Sequence, residues 1–524
     1  MLARSAGTAK GVTRIAATLA LAVAAACSGA PRTPGTIVLA SGTDLEGMQP
    51  LTTTHGMSRQ VQKYLVFTPL AALDDALRVV PWAAVGWTWR DARTLTVVVD
   101  TTLRWHDGRT VTATDAAFTI ALARDTLVAW SRRSELDGIE ADARGADTLV
   151  VRFARAPGAV PAVFTELPLL PAHRLRDADR TRLRVDAFTM APVGSGPYRV
   201  AAREPGRRWV LERMPTFPSR LGGPGASAHI VIAVVDEATT KVAGLVSGAL
   251  DMAGVNPATA TLVERDAALR LVTYPTLFTN WLVFDAARAP FDDVRVRKAV
   301  ALALDRRALV DGGVGGFATP SAAWSADLAH DTTPARVARA DSLLDAAGWR
   351  RGADGMRARW GRALAVTLLC VATADNAVEQ LLQAQLRARG IAVTIATREP
   401  GAMLVAARAP TRTHELLVTG VPGDLARGQL GQLFDPASRG GALDFGAARP
   451  VPFGAALARA RAASEPAVRD AAWRDALAVL DDSVPATPLY HARGVQGASR
   501  RLQGVRIDLR GELATAPRWR LAPP

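Results

Sequence analysis

The stretch Asn280-Trp-Leu-Val-Phe-Asp285, continued by Ala289-Pro-Phe-Asp-Asp-Val-Arg-Val-Arg-Lys-Ala-Val300 and Ala301-Leu-Ala-Leu-Asp-Arg306, decides the fold. Residues 281–284 form a short apolar run with aromatic and β-branched side chains, which predicts a strand covered on both faces. Pro290 and the aspartates Asp292 and Asp293 interrupt it, and either aspartate is suited to cap a helix with its side-chain oxygen. Val296, Ala299, Val300, Ala303 and Leu304 then recur at helical spacing on one face, with Arg295, Arg297 and Lys298 expected on the others. Gly312-Gly313 is the expected helix end.

Working outward, a chain of 524 residues has room for roughly three domain-sized units. The apolar fraction of 49% supports a large core and argues against global disorder. The net charge of +14 comes mostly from arginine: lysine occurs only at Lys10, Lys63, Lys241 and Lys298. No run of five or six basic residues and no interleaved aromatic stripe accompanies it, so a nucleic-acid partner is not expected. Diffuse attraction to anionic surfaces or ligands is compatible with the charge.

The N-terminus reads as a leader. Residues 1–10 with Arg14 are basic, and residues 15–26 are continuously apolar, too few to span a bilayer but right for a signal h-region. Val23-Ala-Ala-Ala-Cys27 resembles a bacterial lipobox, in which Cys27 would be lipidated and become the mature N-terminus. Plain secretory cleavage after Ala26 is the alternative. Cys370, in an apolar run, is expected to be a buried strand thiol.

The opening stretch closely resembles the signature of the bacterial extracellular solute-binding proteins of family 5, which serve peptide, dipeptide and nickel ABC importers. Three more segments repeat the family's order. Trp105-His-Asp-Gly108 with Val111-Thr-Ala-Thr-Asp-Ala-Ala-Phe118 is one, where Asp107-Gly108 is a turn pair and His106 a fold residue rather than a metal ligand. Pro192-Val-Gly-Ser-Gly-Pro-Tyr198 is the second; its glycines are expected to give the backbone conformations closed to other residues. Leu343-Leu-Asp-Ala-Ala-Gly-Trp349 is the third.

The resemblance implies an α/β fold of the two-lobed periplasmic-binding-protein kind (type II, large cluster with an extra subdomain), with mixed sheets flanked by helices. The expected division is signal peptide 1–26, lipidated tether 27–35, first lobe 36–50, 181–275 and 488–524, an inserted subdomain 51–180, and second lobe 276–487. Residues 229–235, the helix after them and residues 250–253 read as a β-α-β unit that sets two parallel strands side by side. Residues 364–395 form a second such unit. The strands around 274–284 and 485–490 are the implied crossings between lobes.

For the ligand site the resemblance points to Asp44, Leu45 and Glu46 after the first strand, with a solvated acidic turn as the other reading. It also points to Phe278, Asn280 and Trp281 on one crossing, and Tyr490 and His491 on the other. Clefts favour such aromatic walls with a few polar groups, although Trp281 equally suits core packing. Phe278 and Asn280 should share a strand face. Peptide-binding members carry Trp-x-Gly-Asp in the second lobe, the aspartate pairing with the peptide amine. The counterpart here, Val418-Thr-Gly420-Val421-Pro-Gly-Asp424, lacks both the tryptophan and the aspartate in register. Asp424 moving in, or a neutral or anionic solute, are the alternatives.

No Gly-x-Ser-x-Gly elbow, His-Glu-x-x-His helix or Cys-x-x-Cys pair occurs, so neither catalysis, a metal nor a cofactor is expected. The implied partners are a small solute or peptide, ABC permease subunits, and the membrane through the lipid. A cell-surface interaction protein that kept the fold without transport is the second reading, and an extracytoplasmic hydrolase the third.

Overall fold

The computed structural model describes residues 33–53, 55–320, 333–373, 375–423, 428–463 and 465–523. The leader, Cys27, the start of the tether and Asp424 fall outside them. Eleven strands form one mixed sheet: β1 Thr36–Ser41, β2 Tyr198–Glu204, β3 Arg208–Arg213, β4 His229–Val234, β5 Met252–Gly254, β6 Leu269–Phe284, β7 Ala318–Pro320, β8 Ala365–Val371, β9 Ala392–Arg398, β10 Leu416–Pro422 and β11 Ala486–Ser499. Their order is β9-β8-β10-β6-β11-β5-β1-β4-β3-β2, with β7 also on β11. The fold is two-lobed, and β6 and β11 are the long antiparallel strands shared by both lobes.

The pairing of β6 with β11 changes character along its length. From Leu269 opposite Ser499 to Pro275 opposite Arg493 every residue is paired in sequence. The register then shifts, so that Thr276, Leu277 and Phe278 face Ala492 alone before Thr279 meets His491; a second shift follows Asn280. A bulge of this kind bends a strand and re-aims its side chains.

The apolar pattern of β6 explains how the second lobe is layered. Leu282 and Phe284 join one core cluster with Val296, Val300, Leu344 and Leu382, while Trp281 and Val283 join another with Phe434, Phe453 and Leu480. Strand alternation thus feeds a core on each face. Burying a side chain such as Phe284, 0% exposed, stabilises by about 2–3 kcal/mol. In the first lobe Ile37, Tyr198, Trp209 and Ile230 share a core with Leu95, Val97 and Leu149. The last three belong to a four-stranded antiparallel sheet of Ala84–Asp91, Thr94–Val99, Ile139–Arg144 and Thr148–Phe153.

The signature stretch folds as a strand, a turn and two helices. Asp293 caps the first, Val294–Ala303, accepting from Arg295 N at 2.8 Å. The expected continuous helix instead stops at Leu304, because Asp305 caps a second one, Arg306–Gly313, through Ala308 N at 2.9 Å. Arg297, expected outside, is 6% exposed. Its guanidinium donates to the carbonyls of Ser483, Val484 and Phe291 at 2.6–3.1 Å. Arg306, 0% exposed, donates to Pro488 O at 2.8 Å and Thr487 Oγ1 at 2.6 Å. Both arginines therefore satisfy backbone groups where the chain enters β11, which a periodicity argument alone does not foresee.

Two further differences concern topology and glycine. β4 and β5 are parallel but not adjacent: β1 pairs with both and lies between them. The second unit is as expected, β8 and β9 lying parallel from Ala365 opposite Ala392 onward with the helix Ala377–Arg387 between them in sequence. Gly194 and Gly196 serve close approach rather than unusual dihedrals. A Cβ at Gly194 would lie 1.9 Å from Val66 O, and one at Gly196 2.3 Å from Leu65 O. His106 locks this contact, accepting from Gly194 N at 3.1 Å on Nδ1 and lying 3.1 Å from Gly196 O on Nε2. Burial pushes its imidazole down to about 4, which keeps it neutral in this role.

Candidate functional site

The break in the crossing ladder opens a groove. Leu277, in the bulge, lines two neighbouring cavities of about 510 and 560 Å³, which also share Gly56, Gln60 and Leu509. Volumes of this order suit a small solute or short peptide. Thr276, beside Leu277, donates its hydroxyl to Ala492 O at 2.7 Å and fixes the bulge.

The two cavities carry opposite charge. The smaller is lined by Arg59, Lys63, Arg132 and Arg510 with Glu135 and Glu166. Lys63 contacts Glu166 directly, and Arg59 and Arg132 approach the same carboxylate at 3.7 and 3.6 Å. Burial opposes both charges of the Lys63–Glu166 pair, yet the contact holds the lysine above and the glutamate below their ordinary ranges.

The larger cavity is lined by Asp236, Asp508 and Glu512, with Lys241 and His55 as its basic groups. Tyr274 on β6 donates to Glu512 Oε1 at 2.6 Å, and Gln496 on β11 donates to Oε2 at 3.2 Å. Gly511, at φ +135°, lets this loop close on Gln60, where a Cβ would come within 2.2 Å of the amide. Burial raises the Glu512 carboxyl, against the pull of the Tyr274 hydrogen bond.

None of the described residues singled out from the sequence lines either cavity, although Leu277, next to Phe278, lines both. Phe278, 39% exposed, lies with its ring over Gly420, and Asn280 flanks the same glycine from the same strand face. His491 sits beside the bulge with Nδ1 2.9 Å from Thr279 Oγ1. Trp281 packs edge-on to Phe434 in the core, with ring centroids 6.1 Å apart. Val418 and Tyr490 are buried in the opposite cluster, and burial, with Glu379 nearby, pushes the Tyr490 phenol up to about 12.

After β1, Leu45 is a core residue at 3% exposure. Asp44 accepts from Trp209 Nε1 at 2.8 Å, Gly206 N at 2.9 Å and Arg203 at 3.2 Å. Burial opposes its charge, but these bonds prevail and hold the carboxyl below the usual range. Glu46 pairs with Arg184 at 2.6 Å and accepts from His55 N at 3.0 Å. These two acids thus brace the first lobe.

Sequence reasoning missed Tyr274, Gln496 and Glu512, and the basic group of Arg59, Lys63 and Arg132. Their partners lie up to 238 residues apart along the chain. The one local signal was Asp508-Leu-Arg-Gly-Glu512, a charged loop with a glycine beside the crossing.

With this geometry in place, the comparisons are specific. Residues 78–431 match the family described as bacterial extracellular solute-binding proteins, family 5 Middle. Protein XP55 of Streptomyces lividans is 29% identical over 312 residues, 58% of this chain and 56% of that protein, so the chain spans little more than half of that relative. The dipeptide-binding protein of Escherichia coli is 22% identical over 512 residues, 91% of this chain and 93% of that one. The crystal structure of the ABC transporter substrate-binding protein CtaP from Listeria monocytogenes superposes with a TM-score of 0.82 at 17% identity, covering 94% of this chain and 100% of that one. The match over most of the chain and the two lobes on shared long strands lead to one conclusion: this protein belongs to the bacterial extracellular solute-binding proteins, family 5.

Proposed function

We propose that the protein captures a small solute, with a short peptide as the best-supported class, in the groove at the broken crossing ladder and delivers it to an ABC importer permease. The observation that carries the peptide class is the opposite charge of the groove's two ends, Glu512 with Asp508 and Asp236 against Arg59, Lys63 and Arg132. A linear zwitterion satisfies both ends at once, whereas a neutral sugar satisfies neither. Phe278, Asn280 and Gly420 form the second-lobe side, with Asp424 following Gly420 in sequence, and His491 comes from the last segment of the first lobe. The E. coli relative's description as a dipeptide-binding protein supports the same class.

In this reading the mature chain is tethered outside the cytoplasmic membrane by lipid on Cys27. Its first lobe comprises 36–50, 181–275 and 488–524, with 51–180 inserted and 276–487 as the second lobe. Solute touching both lobes shifts an open-to-closed equilibrium, and the closed face docks on the permease. Melting the purified protein with separate dipeptide, nickel-chelate and sugar pools tests the proposal. A reproducible rise with the dipeptide pool is expected. A rise with another pool alone replaces the solute class, and no rise with any pool removes the receptor role.

A further inference from the structure

We propose that Glu512 receives the ammonium group of the bound solute, so that the amine is held by the first lobe and not by a carboxylate of the second. This rests on the receptor reading above. Glu512 lines the cavity of about 560 Å³ beside the bulge. Both its oxygens are oriented by neutral donors, Tyr274 Oη at 2.6 Å and Gln496 Nε2 at 3.2 Å, one from each crossing strand. Among the described residues no lysine, arginine or histidine stands within ion-pair distance of it. Lys241 and His55 line the same cavity without pairing with it, and Asp508 is already engaged by Arg510 at 2.7 Å.

A carboxylate withdrawn from water without a counter-ion is costly, and an arriving cation offsets that cost. An ionised carboxylate has about four acceptor sites, of which two are used here. An ammonium, with three donors, fits what remains. The departure in the second lobe agrees: Val421, 1% exposed, occupies the position where an aspartate would face the amine. Placing the amine receiver at the foot of the crossings also means that the solute's charged end docks before the lobes close.

The test uses the mature protein, Glu512→Gln and Tyr274→Phe, with far-ultraviolet circular dichroism to establish folding. Affinities are measured by calorimetry for a pool of alanyl dipeptides, the same pool N-acetylated, and putrescine as a non-peptide ammonium. The expected result is free-amine binding that acetylation abolishes. Glu512→Gln should weaken it by on the order of thirtyfold, as for removal of one partner of a buried charge pair, and Tyr274→Phe by less. Equal binding of acetylated and free peptides, or retained discrimination in folded Glu512→Gln, overturns the assignment and leaves the receptor role standing. Binding of sugar or chelate pools with no free-amine probe bound also overturns it alone. No binding by any class overturns both. Should Glu512→Gln not fold, Tyr274→Phe decides on the same criterion.

Discussion

Two aromatic rings on one crossing strand cover glycines, and they are held in different ways. Tyr274 lies over Gly494 in the uninterrupted half of the ladder, where a Cβ on the glycine would come within 2.0 Å of the ring. Phe278 lies over Gly420 beyond the bulge, where the corresponding distance is 2.2 Å. The first ring is buried and anchored through its hydroxyl to Glu512; the second is 39% exposed and has no hydroxyl to anchor. The same packing device therefore builds a fixed wall below the break and an adjustable one above it. What the upper half lacks in continuous pairing, Arg306 and Arg297 supply by binding the carbonyls at the start of β11.

The largest way to break this contrast is Arg306→Ala. It leaves Pro488 O and Thr487 Oγ1 without their buried donor and opens a cavity, so a loss of about 4 kcal/mol is expected in denaturant unfolding. Hydrogen exchange should rise first in residues 486–490, while residues 493–499 stay protected. Gly494→Ala attacks the fixed wall and should cost about 3 kcal/mol, since the Tyr274 ring, tied to Glu512, cannot move aside without giving up that bond.

A pH series sharpens the same point. Glu512 has a raised carboxyl in the folded state, so its contribution to stability is full below the ordinary carboxylate value of 4.5 and is lost as pH rises through the higher folded value. Tyr274 and Gln496 face it directly, with Lys241, His55, Asp236 and Asp508 around the cavity. Melting of the empty protein as a function of pH should show this decline, and Glu512→Gln should flatten it. Gly420→Ala, by contrast with Gly494→Ala, should cost only about 1 kcal/mol, because the exposed Phe278 ring can swing outward. Phe278→Ala should change stability by less than about 0.5 kcal/mol, yet weaken solute binding measured by calorimetry.

The sequence carried the framework well and the site only in part. Trp281 to Phe284 announced a buried strand, and Asp293 a cap. These are local signals, in which a side chain answers to its immediate neighbours. Strand alternation likewise separates Trp281 from Leu282, but it does not say which face meets the groove, and both proved to meet cores. Arg297 looked like a surface charge because its acceptors lie at Ser483 and Val484, nearly two hundred positions later. Glu512 stayed unread for the same reason. Its significance comes from Tyr274 and Gln496, and from having no cation within ion-pair distance among the described residues, none of which leaves a mark within a short window of sequence.

The bulge has one further consequence. Three residues, Thr276 to Phe278, span the distance that Ala492 alone spans on the partner strand. That surplus is local to the bulge, and in the receptor reading proposed above it sits where the lobes would rotate. Tilting the upper lobe in that reading, by straightening those residues, would give up the Thr276–Ala492 bond and the pairing of Phe278 with Pro422, and would leave the rungs from Leu269 to Pro275 untouched. Closure would therefore cost the few bonds local to the bulge and spare the rest of the ladder.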